Sequence, residues 1–152
     1  MTLRERLAAD LKDALRARDE VRLRSIRALN AALQSAEIAR RVDGTATLSD
    51  DEVLAVVQKQ AKQRRESIAQ FETAGRADLV ATEQEELAVL EAYLPQQLSD
   101  EQIQAIVAEI VRDAGAAGPQ AMGKVMGAAM ARLRGQADGS RVQAAVKAAL
   151  AA

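Results

Sequence analysis

A chain of 152 residues with one Phe, one Tyr and no Trp must fill its interior with aliphatic side chains. Hydrophobic residues make up 49% of the sequence, so the core falls to Leu, Val, Ile, Ala and Met. Alanine is the best helix former, β-branched runs are scarce and there are two prolines; that composition favours closely packed helices. No strand-length alternation between turn residues interrupts it. The fold class expected is all-α.

Start and stop signals divide the chain into seven helices. Thr2 with Glu5, Ser49 with Glu52 and Ser99 with Gln102 have capping-box spacing. Leu3, Leu7, Leu11 and Leu15 place one narrow apolar stripe on a first helix running to about Arg18. A second begins near Asp19, with Leu23, Ile26, Leu29 and Leu33 inward and Arg24, Arg27 and Gln34 opposite. Residues 41–47 read as a loop. A long third helix runs through Thr73, with Val53, Val56, Val57, Ile68 and Phe71 on its apolar face, and Gly75 stops it. The fourth, about Arg76 to Tyr93, buries Leu79, Val80, Leu87, Leu90 and Leu94. Pro95 ends it and turns Leu94 away from the α region. Three helices follow: one carrying Ile103, Ile106, Val107 and Ile110; one from about Pro119 to Leu133; and one capped by Asp138 that faces Val142, Val146 and Leu150 inward. The expected organisation is a four-helix N-terminal subdomain, 1–94, and a three-helix tail, 95–152. Tyr93, the only tyrosine, reads as an anchor at their junction.

Composition also restricts chemistry. With no Cys and no His there are no disulfides, thiolate nucleophiles, Ser-His triads or ordinary zinc ligands. No acidic cluster suggests a metal, and no cofactor is implied. No apolar run approaches a membrane span, and Met1 leads into a charged amphipathic helix, so a cytoplasmic protein without membrane contact is expected. The 21 basic and 22 acidic residues nearly cancel, giving a net charge of −1. From Arg112 to Ala152, however, six basic residues stand against two acidic ones.

Some charges fall in unexpected places. At about 100° per residue, Arg64 lies between Val57 and Ile68 within an apolar stripe, beside Gln60, and Glu83 sits similarly near Leu79 and Leu87. A lone buried charge is costly, so an Arg64–Glu83 ion pair between neighbouring helices is expected, with anion binding by Arg64 as the alternative. Lys59, Lys62, Arg64 and Arg65 form a basic stretch that reads first as a solvated helix face. Gly123 and Gly127, four apart on a helix, suggest close approach of another backbone. Met122, Met126 and Met130 read as core, or as a groove for a partner helix. The glycines do not fit a phosphate loop. Asp138-Gly139 opens a helix whose N–H groups could face an anion, with Asp138 itself as the competing cap.

Two segments are more distinctive: Glu91-Ala92-Tyr93-Leu94-Pro95-Gln96-Gln97-Leu98-Ser99, and Met122-Gly123-Lys124-Val125-Met126-Gly127 followed by Gly135-Gln136-Ala137-Asp138-Gly139. Together they resemble the GatB/YqeY family, and within it the small stand-alone YqeY-like proteins. Lys62-Gln63-Arg64 with Ser67, and Gly75-Arg76-Ala77-Asp78-Leu79, extend the resemblance into the N-terminal part. The family name comes from a tail shared with the B subunit of the tRNA-dependent Asp/Glu amidotransferase, where the tail contacts tRNA away from catalysis. Carried over, the resemblance implies RNA contact by Lys124, Arg132, Arg134, Arg141 and Lys147. Folded tRNA is the implied target rather than unpaired bases, because there are no aromatic stacking platforms; DNA is not implied. The catalytic domain that precedes the tail in the amidotransferase has no counterpart in these residues. The implied role is therefore non-catalytic and accessory to glutamine-dependent carbon–nitrogen ligase chemistry. The alternative is a protein-interaction module docking through the Gly/Met helix face.

Overall fold

The computed structural model describes residues 1–40 and 47–151. The protein is all-α. Among the described residues there are seven α-helices and no strand: α1 Leu3–Ala17, α2 Glu20–Arg40, α3 Asp50–Thr73, α4 Ala77–Glu91, α5 Asp100–Ala114, α6 Met122–Arg132 and α7 Gly139–Ala151. The loop expected at 41–47 lies outside the described residues except for Thr47. The chain divides into two compact units, Met1–Leu94 and Pro95–Ala152.

All three capping boxes form. Thr2 Oγ1 accepts from Glu5 N at 3.1 Å while Glu5 Oε2 accepts from Thr2 N at 2.8 Å. Ser49 with Glu52 and Ser99 with Gln102 repeat this reciprocal exchange. Each satisfies two N–H groups that the first helical turn would otherwise leave without partners. Arg18 ends α1 in the left-handed region at φ 54°, and Asp19 then accepts from Arg22 N, so α2 starts within two residues.

The first unit is built on Leu7, Ile26, Leu29, Leu33, Val53, Val57, Ala61, Leu90 and Tyr93, all buried. The leucine stripe of α1 does not run its full length inward: Leu15 is half exposed. Leucines every four residues advance by about 40° per step, so by Leu15 the stripe has rotated off the core. Ala14, seven residues from Leu7 and about 20° from it, is the fully buried residue instead. Ile68, Phe71, Leu79 and Val80 are likewise only partly covered, and nothing from Lys62 to Glu85 is buried. In that stretch α3 and α4 meet each other as a hairpin closed by Gly75 at φ +70°, with a helix on one side only.

The second unit packs Ile103, Val107, Val125, Ala129, Leu133, Val142, Val146 and Leu150 together. Its middle helix, α6, begins later than the sequence suggests. Pro119–Ala121 form a 3-10 turn, and the α-helix starts at Met122. The segment entering α5 is fixed to the α6–α7 turn: Leu98 N donates to Gln136 O at 3.0 Å, and Gln97 Nε2 donates to Gly135 O at 2.7 Å.

Candidate functional site

Two groups of charged residues carry the functional question, one in each unit. In the first, Arg64 Nη1 donates to Glu83 Oε2 at 3.0 Å and lies 2.7 Å from Glu86 Oε2. Glu86 also accepts from Arg24 Nε at 2.8 Å, and Arg24 reaches Glu85 at 3.5 Å. The hub is Glu86, which is 7% exposed and joins α2 and α3 to α4. Sequence reasoning missed it, and missed that Arg24, on the outer side of α2, reaches across to it. The signal was present: Glu86 follows Leu79 by seven residues, about 20° away on the same helix face. Arg64 therefore has two carboxylate partners, and the arrangement clamps three helices.

In the second unit the candidate cations are distributed unevenly. Lys124 and Lys147 are exposed and make no ion pair among the described residues. Arg132 is exposed and pairs with Glu109 at 3.1 Å. Arg134 is exposed and also has an interaction partner. Arg141 has a structural commitment. Its Nε donates to Asp100 Oδ1 and its Nη2 to Leu98 O, both at 2.9 Å, so it ties the start of α7 to the start of α5. Arg141 and Lys147 lie about 120° apart around α7, and the five cations do not share one face. Over the whole second unit, six basic residues meet five acidic ones; the excess after Arg112 is largely balanced by Asp100, Glu101 and Glu109.

One reading of the tail is corrected, and one open alternative is decided. Gly123 and Gly127 are exposed, and a Cβ at either would meet nothing within 4 Å, so no other backbone approaches them. Val125, Ala129 and Leu133 turn inward, which leaves residues two positions away on the solvent side. The N-terminus of α7 is occupied by its own cap: Asp138 Oδ1 accepts from Ser140 N at 2.8 Å and from Ser140 Oγ at 2.9 Å.

Tyr93 is 6% exposed, and its OH donates to Asp10 Oδ2 at 2.5 Å. The Arg6 guanidinium lies 4.7 Å above its ring. Burial first, then the hydrogen bond and charge of Asp10, push the phenol well above the ordinary tyrosine range. Because the folded value is raised above the unfolded one of about 10, the linked stability is intact below pH 10 and is lost as pH rises through the folded value. Tyr93 is the sole tyrosine, so its phenolate absorbance can be followed directly. We expect that signal to stay absent past pH of about 10 and to appear together with loss of helical circular dichroism. Titration near 10 with helicity intact would contradict the Asp10–Tyr93 bond.

A small all-α protein in two units, with reciprocal helix caps and an ionic clamp in the first, is the class defined by this geometry. The family model for Yqey-like proteins matches residues 4–150, and the chain belongs to that family. It is similar to a protein of Pyrenophora tritici-repentis named altered inheritance of mitochondria protein 41, mitochondrial: 33% identical over 134 residues, covering 87% of this chain and 71% of the relative. The proteins of that name in Saccharomyces cerevisiae and Eremothecium gossypii are 34% and 38% identical over 90 and 88 residues. Those matches cover 59% and 58% of this chain, and 47% and 46% of the relatives, so they span about half the relatives' length. All three relatives are mitochondrial by name, which overturns the cytoplasmic expectation. That expectation rested on the lack of an apolar span. Among the described residues no helix is long and apolar enough to cross a membrane, but this does not distinguish one aqueous compartment from another.

Proposed function

We propose that this protein is a non-catalytic, YqeY-like accessory factor that binds tRNA through its second unit and serves tRNA-dependent amidotransferase chemistry, a glutamine-dependent carbon–nitrogen ligase reaction carried out by other subunits. Its setting is the mitochondrial one that its relatives' names carry. The observation supporting the reading most is the pair of exposed lysines, Lys124 and Lys147, which have no carboxylate partner among the described residues. Arg132 and Arg134 stand on the same unit; phosphate would have to displace Glu109 from Arg132, and Arg134 has an interaction of its own. Arg141 contributes by holding α7 in place. Phosphate contacts of this kind position a folded RNA without reading its sequence. The reading is tested with Lys124→Ala/Lys147→Ala, which should bind tRNA more weakly than wild type while keeping its helical spectrum. Equal binding would remove this surface from consideration.

A second reading, docking of a protein partner on the Gly/Met face, is favoured by one observation. Gly123 and Gly127 leave a side-chain-free strip on α6 with Met130 beyond it, 38% exposed. Binding through that strip would be insensitive to salt, whereas binding of tRNA through lysines would not.

A further inference from the structure

The first unit contains a cleft in which two arginines share one carboxylate, Asp10. It opens between α1, α2 and α4, has a volume of about 430 Å³, and is lined by Arg6, Asp10, Arg22, Val89, Ala92 and Tyr93 among others. Arg6 is held in position, stacked 4.7 Å over the Tyr93 ring and donating from Nη2 to Ala92 O at 3.0 Å. Asp10 receives the Tyr93 hydroxyl at 2.5 Å. It also forms ion pairs with Arg6 Nε at 3.9 Å and with Arg22 Nη2 at 3.8 Å, both longer than a hydrogen bond. The guanidinium of Arg22 thus makes no hydrogen bond among the described residues, although its side chain is only 37% exposed. A guanidinium carries five N–H donors in a fork that matches an oxyanion, so most of this donor capacity is free in the cleft.

We propose that this cleft binds a small aliphatic carboxylic acid as its anion, with the carboxylate held by Arg22 and Arg6 and the aliphatic part laid against Val89 and Ala92. The charge fits one carboxylate: two arginines against Asp10 leave a single positive charge, which a monoanion neutralises. A phosphate dianion would carry one negative charge more than this balance takes. The volume lies in the range of small-molecule sites, and the α4 wall is apolar where an alkyl chain would rest. Arg6 is already ordered by its stacking, so less side-chain freedom is lost on binding. The site belongs to the first unit and stands apart from the tRNA reading of the second.

Butyrate is the probe, titrated at constant ionic strength into the full chain and followed by backbone amide NMR. We expect saturable shifts at Val89, Ala92 and Tyr93 with a Kd of roughly 1–10 mM, as suits a ligand of so few atoms. Butanamide, the neutral isostere, should leave these amides unmoved. Arg22→Gln should weaken butyrate binding about tenfold or more, the loss expected for a hydrogen bond to a charged group. Non-saturating shifts, an equal response to butanamide, or wild-type affinity in Arg22→Gln would each overturn the proposal. So would inorganic phosphate binding as tightly as butyrate. The butanamide comparison uses wild-type protein alone, so it decides even if the variant is poorly folded.

Discussion

Replacing Leu133 with alanine is expected to unfold much of the second unit while leaving the first intact. Leu133 is 1% exposed and packs among Val125, Ala129, Val142 and Val146. Removing a buried leucine side chain to alanine costs about 2–5 kcal/mol, the spread reflecting how far the cavity collapses. The unit from Pro95 to Ala152 has about 58 residues, which at typical per-residue values gives a total stability of about 3–9 kcal/mol. The substitution therefore removes a large share of it. Its α-helices have no aromatic side chain to supply compensating area: the only Phe and Tyr are Phe71 and Tyr93, both in the first unit. Native-state hydrogen exchange is the check. Amides of α5, α6 and α7 should lose protection by the same free energy, while those of α1 and α2 keep theirs. Unchanged protection in α7 would show that Leu133 is not central to that core.

Replacing Glu86 with alanine should destabilise the first unit by about 2–3 kcal/mol. Breaking a fully buried ion pair from one side costs about 3–5 kcal/mol. The figure is discounted here because Arg64 and Arg24 are 25% and 45% exposed, and each keeps a second carboxylate, Glu83 and Glu85. For a unit of this size the melting temperature should fall by roughly 10–20 °C. Glu85→Ala, on the exposed side of α4, should stay within about 0.5 kcal/mol of wild type. The double replacement Arg64→Met with Glu86→Leu should cost clearly less than the two single changes added together, because packed apolar side chains can substitute for an ion pair once both charges are gone. Strict additivity would mean that the Arg64–Glu86 contact carries no coupling.

The helix boundaries were largely legible because they are written in local chemistry. Capping boxes, Gly75 and Pro95 act within four or five residues of themselves, so they can be found without knowing the fold. The inward faces were legible only where helices are covered on several sides. Val53, Val57, Ile103 and Val107 are buried as their spacing suggests. Phe71 and Leu79 have the same apolar character, yet their hairpin is covered on one side, which no periodicity reveals. The charged sites were harder to read because each pairing spans long sequence separations. Arg64 and Glu83 announced themselves by sitting in apolar stripes, whereas Arg24 and Glu86 are joined across sixty-two positions. Similarly, the tail's positive charge looks larger in sequence than in space. Arg141 is spent on Leu98 O and Asp100, and Arg132 on Glu109. The strip at Gly123 and Gly127 was misread for the opposite reason: helical glycines four apart accommodate a neighbouring backbone only if a neighbour is present.

The proposed holding of tRNA by phosphate contacts on the second unit has a direct readout. Its most direct test is the salt dependence of tRNA binding by wild-type protein beside Lys124→Ala/Lys147→Ala, with circular dichroism on both. Each phosphate contact steepens the fall of log affinity against log salt by roughly 0.7–0.9. A steep wild-type line is expected, and a variant line shallower by roughly 1.4–1.8 for two lost contacts. Superimposed lines, or no tRNA binding by wild type at low salt, would contradict it.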